Sequence, residues 1–174
     1  MFIIYMGVSG CGKTTVGKMT AEALNLPYYE GDEYHPKANV EKMSHGIPLN
    51  DEDRDQWLQR LSDLLQEKLA KGESGVLSCS ALKENYRDRL NVDPQRVHFI
   101  YLKGSYGLIL NRMTARAAHY MPAELLQSQF DTLEEPEDIF TIDIDQSPEI
   151  ILDKALGYIH HISDKPFLDI PPDD

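Results

Sequence analysis

Gly7-Val8-Ser9-Gly10-Cys11-Gly12-Lys13-Thr14 decides the fold of this chain. The stretch fits G-x-x-x-x-G-K-[ST], a glycine-rich turn between a strand and a helix. Its flanks agree: the apolar run Phe2–Met6 reads as a buried strand, and Lys13–Leu24 reads as a helix. In that setting the glycines let backbone amides turn inward and form an anion cradle, which the helix N-terminus reinforces with partial positive charge. Gly7, Val8, Ser9, Gly10, Cys11, Gly12, Lys13, Thr14 and Thr15 are therefore expected to hold the phosphates of a nucleotide. In such loops the lysine, here Lys13, reaches the β- and γ-phosphates, and the hydroxyl, here Thr14, ligates Mg²⁺. The loop alone does not separate a kinase from a GTPase or a motor, although the guanine-specific Asn-Lys-x-Asp is absent.

Outward from the loop, short apolar runs alternate with helical patterns. Strands are expected near Phe2–Met6, Tyr28–Tyr29, Val76–Cys79, Val97–Leu102 and Ile139–Asp143. Helices are expected near Lys13–Leu24, Pro36–Ser44, Asp51–Lys71, Ala81–Leu90, Ser105–Ala117, Pro122–Phe130 and Pro148–His161. That rhythm predicts an α/β P-loop fold, a mainly parallel five-stranded sheet flanked by helices, in one domain over residues 1–174. Two inserts interrupt it, a charged one at residues 33–71 carrying Trp57 and a second at 114–137 rich in arginine and glutamate. Inserts of that size on a small sheet tend to be substrate covers or lids. The Pro- and Asp-rich end, residues 166–174, is expected to fray.

Composition narrows the function classes. With 174 residues, 41% hydrophobic and 26% charged, the chain can close one core. Its formal charge of −12 disfavours nucleic-acid backbones and anionic membranes, so an anionic ligand needs a local basic pocket. No run approaches the ~18 apolar residues of a membrane span, and the N-terminus lacks the charged start of a signal peptide. Two cysteines, Cys11 and Cys79, are too few for a disulfide framework. A cytoplasmic location is expected. Cys11, at a helix N-terminus beside Lys13, is either a reactive thiol or a small buried filler of the loop.

An acceptor-phosphorylating enzyme needs a base, and one follows the second strand in Glu30-Gly31-Asp32. A carboxylate there faces the crevice at the strands' C-terminal ends. Asp32 is expected to take the acceptor's hydroxyl proton and Glu30 to hold a Mg²⁺-bound water. A solvated turn carboxylate is the other reading of each. Lys83 and Arg87 lie four apart on an expected helix, so they would share a face and grip a carboxylate, or else form a solvated basic stripe. His35, Lys42 and Arg54 in the first insert, with Ser80 and Gln129 elsewhere, are further donors to substrate. His35 has the alternative of capping the next helix, and Arg54 of bridging Asp51 or Asp53. Size and inserts together point to the nucleoside-monophosphate-kinase-like group.

The blocks Gly31-Asp32-Glu33-Tyr34-His35-Pro36-Lys37-Ala38-Asn39-Val40-Glu41-Lys42-Met43, Gly46-Ile47-Pro48-Leu49-Asn50-Asp51-Glu52-Asp53-Arg54, Cys79-Ser80-Ala81-Leu82-Lys83-Glu84-Asn85-Tyr86-Arg87-Asp88 and Gln129-Phe130-Asp131-Thr132-Leu133-Glu134-Glu135-Pro136 narrow the group. With the P-loop, they resemble the gluconokinases over essentially Phe2 to His161. The resemblance implies ATP- and Mg²⁺-dependent phosphorylation of D-gluconate at its 6-hydroxyl, sheet order 2-3-1-4-5 and a homodimer. It also implies that Arg112 packs near the adenine or phosphates and that Arg116 descends from the lid onto the migrating phosphoryl group. Two departures are small: Glu30 stands where relatives often carry Asp, and the stretch before Pro94 is short and polar. A shikimate or nucleoside kinase of the same architecture, or a non-enzymatic P-loop switch, is the competing reading.

Overall fold

The computed structural model describes residues 1–115 and 123–164. Strand β1 (Phe2–Met6) runs through the middle of a sheet, between β3 (Gly75–Ser78) and β4 (Val97–Lys103). Strands β2 (Tyr28–Glu30) and β5 (Phe140–Asp143) form the edges, and every neighbouring pair is parallel. The order is β2-β3-β1-β4-β5, as the resemblance implied.

All of β1 is buried because helices cover both faces of the sheet. Its side chains alternate between two cores. Ile3 and Tyr5 join Val16 and Ala21 of α1 (Lys13–Leu24) and Ile151, Ala155 and Ile159 of α7 (Pro148–Ser163). Phe2, Ile4 and Met6 join Trp57, Leu58, Leu61 and Leu65 of a long helix over Asp51–Ala70, with Tyr86 and Leu90 of a short one over Glu84–Leu90. With a first short helix at Lys37–Ser44, these are α2 (37–44), α3 (51–70) and α4 (84–90). The α3 apolar stripe recurs at helical spacing, which is why the first insert is half cover and half core. A capping box starts α3, with Asn50 and Asp53 satisfying each other's backbone N–H, a device worth ~1 kcal/mol.

Helices α5 (Tyr106–Ala115) and α6 (Ala123–Thr132) flank residues 116–122 of the second insert, which lie outside the described residues, as do 165–174. Arg116 and the candidate frayed end fall there. The structure departs from expectation most clearly after β3. A helix was expected from Ala81, but α4 begins at Glu84. Ala81 takes a left-handed backbone with φ of 42°, and Lys83 is the extended N-cap residue. Residues 79–83 are thus a loop, and β3 ends at Ser78 rather than Cys79.

Candidate active site

The loop between β1 and α1 turns on Gly7, whose φ is 142° and at which any Cβ would come within 2.8 Å of the Leu102 carbonyl oxygen. Lys13 folds back over the loop, and its Nζ donates to the carbonyls of Gly7 and Val8, each at 2.9 Å. The ammonium is therefore held against the loop's own backbone. From the first turn of α1, Thr14 Oγ1 donates to Glu30 Oε2 at 2.7 Å, and the Tyr28 hydroxyl donates to the same oxygen at 2.7 Å. This hydroxyl and carboxylate suit Mg²⁺, which draws most of its ligands from phosphate and water. Burial pushes the Tyr28 hydroxyl's pKa well up, so it serves as a neutral donor.

Beside the loop lies a cavity of about 210 Å³, lined among others by Ser9, Lys13, Asp32, His35, Arg54, Ser80 and Gln129. Each part of its wall has a traceable origin. A short 3-10 turn, Gly31–Tyr34, follows β2 and presents Asp32. Gly31 must be glycine because a Cβ there would collide with the Ser78 carbonyl oxygen of β3. Trp57 of α3 secures the turn by donating its Nε1–H to the Gly31 carbonyl at 2.8 Å. Three-quarters of the Asp32 side chain, 76%, opens to the cavity, yet the cavity lies deep enough for desolvation to raise its pKa. Lys13 opposes that rise and Glu30 adds to it. From α6, the Gln129 Oε1 accepts the backbone N–H of Ser9 at 2.6 Å, tying the second insert to the phosphate loop.

The cavity brings together five of the eight candidate acceptor-side residues, and the three absentees share one cause: prior pairing. Lys42 Nζ is held by both carboxylate oxygens of Asp53, at 2.7 and 2.9 Å. Lys83 is held by both oxygens of Asp51, at 2.9 and 3.0 Å. Arg87 is buried, and its Nη1 donates to the carbonyls of Ala81 and Leu82, each at 3.1 Å. It opens instead onto a separate hollow with Glu84, Asp88 and Glu134. The expected Lys83–Arg87 clamp is thus not formed, because Lys83 precedes the helix whose face it was to share. Arg87 buttresses the left-handed turn at Ala81 that carries Ser80 to the cavity.

Arg54, by contrast, lines the cavity. It is 7% exposed, and its Nη1 donates to the Leu49 carbonyl at 2.6 Å. Since Lys42 and Lys83 occupy Asp53 and Asp51, Arg54 bridges neither acid. Met43, Pro48, Leu49, Leu125 and Ser128 also line the cavity and were not anticipated. Their signal was only their place in the two inserts.

His35 does not cap α2 with its side chain. Its imidazole stacks on Trp57, with ring centroids 4.3 Å apart. Burial, and secondarily the Arg54 charge, lowers its pKa from 6.5 to about 4. The folded state therefore resists protonating His35 where the unfolded chain accepts it. The associated stability is complete above pH 6.5 and is lost as pH falls towards 4. Between pH 7 and 4.5 the parent should lose about 2–3 kcal/mol more than His35→Phe, as measured by urea unfolding. Parallel pH profiles for the two proteins would show that His35 is not buried neutral.

A second hollow of about 370 Å³ is lined by Gly10, Gly12, Thr15, Arg112, Gln146 and Pro148, among others. Arg112 Nη2 donates to the Ile144 carbonyl at 2.6 Å. The hollow borders the phosphate loop. Both cysteines are buried and free. Cys11 is 1% exposed, the geometry of a loop filler, and burial pushes the Cys79 thiol up to about 12.

A family model described as shikimate kinase matches residues 9–154. The thermosensitive gluconokinase of Escherichia coli (strain K12) is 50% identical over 145 residues, 81% of this chain and 78% of that protein. The gluconokinase of Gluconobacter oxydans (strain 621H) is 43% identical over 160 residues, 90% of each chain. The crystal structure of a gluconokinase from Sinorhizobium meliloti 1021 superposes with a TM-score of 0.84 at 43% identity, over 92% of this chain and 91% of that one. This chain belongs to the gluconokinase family. Within the shikimate-kinase-like P-loop kinases, the shikimate kinase of Aquifex aeolicus vf5 shares the fold at a TM-score of 0.57 and 18% identity. Family membership accounts for a phosphate loop and an acceptor cavity meeting at Lys13.

Proposed function

We propose that the protein transfers the γ-phosphoryl group of ATP to the 6-hydroxyl of D-gluconate, giving 6-phospho-D-gluconate and ADP. The observation that carries the reading is the cavity's charge: among the described residues, its lining cations are Lys13 and Arg54 and its carboxylate is Asp32. An acceptor with a hydroxyl at one end and a carboxylate at the other fits such a site. Asp32 sits beside Lys13 and receives the O6 proton as O6 bonds to phosphorus and the bond from phosphorus to the β-phosphate oxygen breaks. Lys13 leaves the loop carbonyls for the phosphates and stabilises their charge. Arg54, anchored by Leu49, turns its remaining N–H groups to the carboxylate. Ser80 and Gln129 offer polar groups to the hydroxyls between.

Thr14 and Glu30 would hold Mg²⁺, Glu30 through water; the ion supplies charge neutralisation across the phosphates. Gly10, Gly12, Thr15 and Arg112 would border the nucleotide. Arg116 is assigned to the migrating phosphoryl group through the family resemblance alone. A homodimer and a cytoplasmic location belong to the same reading; among the described residues no helix is long and apolar enough to cross a membrane.

The carboxylate end is tested by Arg54→Met. This variant should raise the gluconate KM by ~10–100-fold, the loss of a charge-assisted hydrogen bond of about 1.5–3 kcal/mol, and leave the ATP KM near the parent value. Equal rises in both would remove Arg54 from the acceptor site. Phosphorus NMR of the product checks the other end, since a 6-phosphate couples to the two C6 protons and a phosphate on a secondary hydroxyl couples to one.

A further inference from the structure

The wall behind Asp32 contains a polar arrangement that the phosphate chemistry does not use. His35 is nearly sealed, with 4% of its side chain exposed, against the Trp57 indole at an interplanar angle of 15°. The same indole donates to Gly31, so one side chain fixes both the turn before the base and the imidazole after it. Asn39, 3% exposed, supplies the remaining constraint. Its Nδ2 donates to the Asp53 carbonyl oxygen at 2.7 Å. A carbonyl only accepts, so that contact decides which end of the amide is nitrogen. The same Nδ2 lies 3.3 Å from His35 Nδ1, which must then accept, leaving the imidazole proton on Nε2. Nε2 faces Asp32 Oδ1 at 3.8 Å.

We infer that His35 is a positioning residue for the acceptor base, a neutral Nε2–H donor whose tautomer is set by Asn39 and whose plane is set by Trp57. It acts by holding one oxygen of Asp32, so that the other is directed at the reacting hydroxyl. At 3.8 Å the contact is longer than a hydrogen bond, and a shift of about 1 Å closes it, as catalytic contacts do when substrate binds. No proton leaves His35. Among the described residues, the titratable and charged groups facing the imidazole are Asp32 and Arg54, and burial, aided by the nearby guanidinium, keeps it uncharged. The sequence pointed to His35 as a substrate contact; Asn39 and Trp57 change that role, because together they leave one N–H aimed at the carboxylate.

The inference rests on the reading of Asp32 as the base, so the test separates the two. Long-range nitrogen–proton NMR of the ¹⁵N-histidine-labelled parent at pH 7 should show His35 as the Nε2–H tautomer. His35→Phe, which keeps the stacking and removes the donor, should lower kcat by ~10–100-fold with the ATP KM unchanged. His35→Gln, whose amide N–H reaches the same place, should recover most of that loss. An Nδ1–H tautomer or an imidazolium at pH 7 would overturn the inference without any variant. So would parental kcat in His35→Phe, or a His35→Gln that melts like the parent yet is as slow as His35→Phe. Asp32→Asn, run alongside, identifies the other failure: if it keeps parental kcat, the base assignment falls and the tautomer result still stands.

Discussion

Asp32→Asn lowers kcat for gluconate by ~10²–10⁴-fold and leaves ATP binding intact, the expected consequence of removing a general base while keeping its shape. The amide is nearly isosteric and still accepts a hydrogen bond, but it cannot take the O6 proton. Asp32 stands on the tight turn after β2 and lines the same cavity as Lys13, so the proton acceptor and the phosphate ligand share one site. The measurement is steady-state turnover at saturating ATP, with nucleotide affinity followed by calorimetry. A rise in gluconate KM at unchanged kcat would make Asp32 a binding group and remove the base from the account.

Lys13→Ala should cost at least ~10²–10³-fold in kcat, the scale for removing one preorganised charge donor from a transition state. The lysine Nζ rests on the Gly7 and Val8 carbonyls, and the chain around them is secured by the glycine turn. The fold should therefore survive, with a parental circular-dichroism spectrum. Near-parental turnover in a folded Lys13→Ala would refute the assignment of the phosphate loop.

The phosphate loop and the strands around it were legible because their signals are local. Phe2–Met6, the glycines and Lys13 are contiguous, and burial on both faces makes β1 uniformly apolar. Asp32 was legible by position, two residues beyond the end of a strand that leads into the crevice. The basic residues were not, since their fates depend on competition between distant groups. Spacing favoured Lys83 and Arg87 as the carboxylate grip and left Lys42 and Arg54 as further donors. The structure separates them: Asp53 takes Lys42, Asp51 takes Lys83, backbone carbonyls take Arg87, and only Arg54 of these four lines the cavity. The shared-face argument for Lys83 and Arg87 failed on one torsion, the left-handed Ala81, which no propensity reveals for an alanine. His35, Asn39 and Trp57 meet across two helices and a turn. No pattern along the chain links them.

The central claim is the acceptor, and a panel of sugar acids and related hydroxy acids offered to the purified protein with ATP and Mg²⁺ tests it most directly. ADP release is followed for D-gluconate, shikimate, a nucleoside and no acceptor. The account predicts turnover with D-gluconate at least ~10-fold above the other three, a modest discrimination for a fitted acceptor pocket. Faster turnover with shikimate or the nucleoside, or ADP release unaffected by any acceptor, would contradict it.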